Sequence, residues 1–160
     1  MKHLLLALLI CSAAVSVRAQ GLAPGTDIPK AVFYRSNGTT YSTDQVVRGK
    51  KTLLMFFDAT CGHCQKVAAT ISKRNKEFSN INILLVTQDE QRSIDYFMNN
   101  YGKTLLTMKN VTIVQDKDRV FIPLFHPKQY PALYLFGHDR KLIYFSSEDK
   151  DLPKFFTLIK

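Results

Sequence analysis

Cys61-Gly62-His63-Cys64 is the stretch with the plainest chemistry in the chain. Two thiols stand two residues apart where an almost continuous apolar run, Thr52 to Phe57, gives way to a helix-compatible segment leaving from Cys64. A strand in that place delivers Cys61 to a helix start, where unpaired N–H groups and the positive end of the helix dipole favour an anion. The anion would be a thiolate, the reactive form of cysteine, and a C-x-x-C pair lowers the pKa of its first member from about 8.5 to about 3.5–7.5. The spacing casts Cys61 as nucleophile, forming a mixed disulfide with a partner's sulfur, and Cys64, one helical turn on, as the resolving thiol. Gly62 and His63 tune the pair: an imidazole beside the Cys61 sulfur stabilises the thiolate, hence the reduced form, and makes the disulfide a stronger oxidant. Asp58 is the nearest carboxylate for taking a proton from Cys64, with a plain turn residue as the alternative.

Other uses of these residues fit less well. Zinc held by Cys61, His63 and Cys64 needs a fourth ligand, and neighbours on one tight turn cannot easily all face a tetrahedral ion; His126 and His138 read as loop histidines. Haem attachment requires a histidine after the second cysteine, where Gln65 stands. The expectation is therefore no metal and no cofactor.

The third cysteine, Cys11, lies in a segment that reads as a secretory leader over residues 1–19. Lys2 and His3 form a basic start, Leu4 to Ile10 with Ala13 to Val15 an apolar stretch too short to span a bilayer, and Val17-Arg18-Ala19 a small-residue cleavage site. Bulky Ile10 before Cys11 speaks against a lipid anchor there. Cleavage after Ala19 leaves 141 residues, enough for one domain and too few for two, with Cys61 and Cys64 as the sole cysteines. A lone, short-range pair in an exported protein is a poor structural staple and a better redox pair. The expected address is extracytoplasmic, in a bacterial periplasm, with no stable membrane span after cleavage. The remaining chain carries 20 basic and 13 acidic residues. These charges are scattered, with no nucleic-acid motif beside them, so no nucleic-acid partner is expected.

The elements that must position the pair can be read in order. Residues 20–29, with Gly21, Pro24, Gly25 and Pro29, predict an extended arm, and residues 30–160 one domain. Ala31 to Tyr34 and Thr40-Tyr41 flank Asn37-Gly38, a hairpin signal. A short helical turn follows from Ser42 or Thr43, ended by Gly49. Thr52–Phe57 reads as a strand covered on both faces, Cys64 to Phe78 as an amphipathic helix and Ile81 to Thr87 as another strand, hence parallel pairing. Gln91 to Tyr101 predicts a second helix stopped by Gly102. Val111 to Val114 reads as a short strand, and Asp116 to His126 as a helical turn limited by Pro123. Tyr130-Pro131 leads into a hairpin of Leu133 to Phe136 and Lys141 to Phe145. Lys150 to Ile159 closes the chain as a helix, with Pro153 in its first turn.

This order of elements, with a C-x-x-C at a strand-to-helix junction, resembles the thioredoxin fold: α/β, a central mixed sheet flanked by helices. The N-terminal β-hairpin resembles its TlpA/ResA-like extracytoplasmic branch, over about residues 28 to 160. The resemblance implies a thiol-disulfide oxidoreductase acting on protein thiols or disulfides, recharged by a separate redox partner protein. It also implies a cis peptide bond at Pro131, with Thr60, Tyr130 and Pro131 facing substrate. Cys-Gly-His-Cys itself resembles protein disulfide isomerase and leans oxidising or isomerising, about −180 mV against about −270 mV for thioredoxin, whereas the fold branch leans towards a reductase. Three departures stand out. Thr60 replaces a common Trp, Met55 replaces a buried carboxylate, and Val67 replaces a Glu, so Cys64 lacks its usual bases. A peroxidase resembling peroxiredoxins would share the fold, but Thr60 alone is little of its Thr and Pro signature. A redox-inactive binding or chaperone module on the same fold is the other alternative.

Overall fold

The computed structural model describes residues 21–160. The leader expected over residues 1–19 lies outside the described residues. Seven strands form one mixed sheet in the order β2-β1-β5-β4-β3-β6-β7. They are β1 (Val32–Tyr34), β2 (Thr40–Ser42), β3 (Thr52–Phe57), β4 (Asn82–Thr87), β5 (Val111–Gln115), β6 (Ala132–Phe136) and β7 (Leu142–Ser146). The α-helices are α1 (Gly62–Lys73), α2 (Gln91–Tyr101), α3 (Phe121–Phe125) and α4 (Leu152–Leu158).

β3 is the axis of this arrangement. It pairs parallel with β4, Thr52 opposite Asn82 through Phe57 opposite Thr87, and antiparallel with β6. All six of its residues are buried. Successive side chains of a strand point to opposite faces. Leu53, Met55 and Phe57 accordingly join one core with Val67 and Ile71 of α1, Phe97 of α2 and Phe155 of α4. Leu54 and Phe56 join a second core with Phe33, Phe121, Phe125 and Tyr134. Each such side chain contributes roughly 1.5–3 kcal/mol of transfer free energy, and this two-sided burial is why the run is apolar without alternation.

The first hairpin falls where Asn37-Gly38 predicts it, whereas helix boundaries differ from the sequence reading, each for a local reason. The first hairpin turns through Arg35–Thr39, with Gly38 at φ +81° and the Asn37 carboxamide oxygen accepting from the Thr39 N–H at 3.1 Å. Helix α1 starts at Gly62 and ends at Lys73, and Asn75–Phe78 continues as a 3-10 turn. There the Asn75 side chain donates to the Ser72 carbonyl (2.9 Å), taking an acceptor that a continuing helix would use. Pro123 is tolerated inside α3 because it falls in the first turn, where N–H groups have no intrahelical partner. Two donors at that start, the N–H groups of Val120 and Phe121, bond the buried Asp116 carboxylate at 2.9 and 3.0 Å. The last helix begins at Leu152, and residues 149–151 form a separate 3-10 turn. The N-terminal arm packs beside β7: the Gly25 and Ile28 N–H groups donate to Leu142 and Arg140 carbonyls, and Ile28 is buried.

Candidate redox site at the start of α1

Strand β3 ends at Phe57, and four residues later the chain enters α1 with Cys61 as its N-cap. Asp58 shapes the corner: its Oδ1 accepts from the Thr60 N–H at 2.7 Å and from the Thr60 hydroxyl at 2.6 Å. Asp89, beyond the end of β4, holds the same corner from the other side, its Oδ2 accepting from the Ala59 N–H at 2.7 Å. The Cys61 sulfur lies where the helix dipole and the free N–H groups converge, accepting from the Cys64 N–H at 3.5 Å. Its own S–H points at the Tyr130 carbonyl oxygen, 3.8 Å away. Tyr130 and Pro131 are joined by a cis peptide bond. Pro131 is buried, and the Tyr130 ring packs on Phe56 at 4.9 Å between centroids.

The two thiols differ sharply. Cys61 is half-buried and Cys64 fully so. Burial, first of all, pushes the Cys64 thiol far above its ordinary range; the Cys61 sulfur and the Asp58 carboxylate push the same way, and a hydrogen bond from the Asp58 backbone partly offsets them. An apolar, fully enclosed sulfur is costly to ionise. Open grooves flank the pair. One is lined by Thr60, Gln65, Arg92, Tyr96 and Tyr101, the other by Phe56, Ile122, Pro127 and Tyr130.

His63 occupies a different place from the one its position between the cysteines suggests. Its Nδ1 lies 3.3 Å from Asp149 Oδ1, and Lys66, one turn along α1, places its ammonium 2.9 Å from Asp149 Oδ2. The Lys66 ammonium, then the His63 imidazole, hold the Asp149 carboxyl below the usual carboxylate range. The Cys61 sulfur has the Cys64 N–H and the Tyr130 carbonyl as its hydrogen-bond partners among the described residues. Gly62 is exposed, and a Cβ there would meet nothing within 4 Å. Among the described residues, no three His, Cys, Asp or Glu side chains converge as a metal cage. His138 sits elsewhere, its Nδ1 2.8 Å from the Gly49 carbonyl.

The pair, Asp58, Thr60, His63 and the Tyr130-Pro131 bond therefore come together. Asp89, Asp149 and the Lys66 partnership escaped the sequence reading. Asp149 lies in the hydrophilic stretch after β7, and nothing local distinguishes it from a solvated loop carboxylate. Asp89 had a weak signal, since the carboxyl ends of parallel strands are where open α/β sheets place their sites.

Among curated proteins none matches the chain. Solved structures do. A domain of a possible thiol-disulfide isomerase from Cytophaga hutchinsonii is 20% identical, with 86% of this chain and 93% of that one covered, at a TM-score of 0.64. A candidate thioredoxin from Neisseria meningitidis is 23% identical over 86% of this chain and 89% of its own, at 0.67. A candidate thiol:disulfide interchange protein DsbE from Chlorobium tepidum is 16% identical over 86% and 96%, at 0.65. At such identities the likeness is one of fold, and it establishes the mixed sheet with flanking helices as thioredoxin-like. The AhpC/TSA family profile matches residues 24–145, from the arm through the site to β7, and the chain belongs to that family.

Proposed function

We propose that this protein is an exported thiol-disulfide oxidoreductase that exchanges disulfides with protein thiols through Cys61 and Cys64. The observation that carries this reading is the asymmetry of the pair: a half-exposed sulfur at the start of α1, beside the Tyr130 carbonyl, backed by a buried thiol one turn on. Acting as a reductase, the Cys61 thiolate attacks one sulfur of a partner disulfide, and the partner's other sulfur leaves as a thiolate and takes up a proton. Cys64 then loses its proton and attacks the Cys61 sulfur, forming the Cys61–Cys64 disulfide and releasing the partner's second thiol. Two electrons pass to the partner. The reverse sequence oxidises a dithiol.

Asp58 is the acceptor for the Cys64 proton in this scheme. The Thr60-lined groove and the edge at Tyr130 and Pro131 receive the partner's chain around its sulfur. The family match keeps a peroxidase reading in view. Against it, the Thr60 hydroxyl is spent on Asp58 and not turned to the Cys61 sulfur. The leader-like residues 1–19 and the lone cysteine pair support export, and no helix among the described residues is long and apolar enough to cross a membrane.

Trapping tests the reading. A Cys64→Ala protein should accumulate mixed disulfides on Cys61, resolved by reductant and visible on non-reducing gels, and Cys61→Ser should yield none. No captured partner, together with full biological activity of Cys61→Ser, would show that the fold serves a redox-inactive binding role. Titration in glutathione buffers sets the direction: a potential below about −250 mV assigns a reductase, one near −180 mV an oxidase or isomerase. N-terminal sequencing of the mature protein should begin at Gln20.

A further inference from the structure

We infer that Asp149 is a positioning residue of the redox pair: its carboxylate draws the His63 imidazole onto the 149–151 turn and makes the Cys61–Cys64 disulfide less oxidising than it would be with that imidazole free. This rests on the redox reading of the site.

The anchored member of the cluster is the carboxylate. Its side chain is 12% exposed, against 70% for His63 and 73% for Lys66. The turn that carries it is tied down independently of either cation, because Ser146 at the end of β7 donates its hydroxyl to Asp151 at 2.7 Å and the Asp151 N–H donates to the Glu148 carbonyl. The two flexible side chains come to a fixed anion.

Charge explains why they do. His63 and Lys66 are cations or potential cations in the first turns of α1, the end at which the dipole disfavours positive charge. The first turn of α1 holds no acidic residue of its own. Asp149 supplies from the turn after β7 the negative charge this helix start lacks. Lys150, beside it, is directed instead to Glu148 at 3.8 Å.

An imidazolium beside a cysteine sulfur stabilises the thiolate and with it the reduced form. Paired with Asp149, the same group has its charge offset and its ring turned to the 149–151 turn. The Cys61 thiolate then keeps the Cys64 N–H and the helix start as its supports.

Glutathione provides the test. Each protein disulfide formed consumes one oxidised glutathione and releases two glutathione thiols, so the ratio of squared thiol to disulfide at half-oxidation is the equilibrium constant of oxidation, which is smaller for a more oxidising pair. It should be measured at neutral pH and fixed salt for the wild type, D149N, D149A, H63A and H63A/D149N. Both single Asp149 substitutions should lower the constant by about 1.5- to 5-fold, the range expected of a solvent-accessible pair. In the H63A background D149N should change nothing. An unchanged constant in D149N and D149A overturns the inference. So does an equal drop with and without His63, which would make Asp149 a direct field on Cys61 and not a positioning group. If the wild-type pair fails to equilibrate with glutathione at any ratio, the redox reading itself falls, and this inference with it.

Discussion

At the scale of single residues, burial divides the labour between the two thiols. Burial holds Cys64 protonated, so in the proposed exchange its attack on a mixed disulfide needs a proton acceptor, and Asp58 is the carboxylate whose charge it feels. Asp58→Asn keeps an oxygen for the Thr60 N–H and hydroxyl, leaving the corner intact. We expect this substitution to slow resolution of a Cys61 mixed disulfide by about 10-fold or more in stopped-flow thiol exchange; an unchanged rate would hand the proton to water. The same burial gives a stability signature. The folded-state pKa of Cys64 lies above its ordinary value near 9.0. The folded protein therefore retains a proton that the unfolded chain sheds above that pH. The contribution is whole below pH 9 and is lost as pH rises towards the folded pKa. Denaturant titrations of reduced wild type and Cys64→Ala should show the wild type losing its advantage above pH 9, while the difference stays flat from pH 6 to 8. Gly62 makes the opposite kind of statement, because its surroundings are open and its backbone ordinary; Gly62→Ala should leave the unfolding free energy within about 0.5 kcal/mol.

At the scale of elements, β3 and α1 form one device, a strand buried on both faces and a helix whose Cys64 N–H is spent on a sulfur. β3 is fixed by pairing on both edges and cores on both faces. Its end therefore delivers Cys61 to the same point whatever the grooves hold. The N-terminal arm belongs to this scale too. It adds hydrogen bonds beside β7 and buries Ile28 in the second core, under the face of the sheet opposite α1. Ile28→Ala should lower the unfolding free energy by about 2–5 kcal/mol in urea titrations, with no effect on the glutathione equilibrium.

At the scale of the whole molecule, the chain's distant parts are clasped by few polar groups. Arg140, buried in the β6–β7 turn at φ +71°, donates to the Thr43 carbonyl at 3.0 Å and the Asp44 carbonyl at 3.3 Å, 97 and 96 residues away. Arg140→Gly relieves the left-handed backbone yet leaves those carbonyls unpaired. The net loss should be about 1–3 kcal/mol, read as a lowered unfolding midpoint. Lysine cannot reproduce the two-pronged donor and should not restore it.

Much of this architecture was legible in the sequence because it is written in local patterns. The apolar run of Thr52–Phe57, the 3.6-residue spacing of Gln91–Tyr101 and the cysteine spacing each need only their neighbours to be read. Helix ends were less legible, since Asn75 and the residues around Asp149 choose between helix and 3-10 turn on single hydrogen bonds. The least legible feature was what surrounds the pair. The sequence by itself determined that two thiols would meet at the junction of a buried strand and a helix, because hydrophobic periodicity and covalent spacing settle that. Only the tertiary structure decided that Cys64 is wholly enclosed, that Tyr130 presents its carbonyl to Cys61, and that His63 faces Asp149. Those contacts join residues 69 and 86 positions apart, and electrostatic partners at such separations are chosen by how the sheet folds back on itself, which no local pattern encodes.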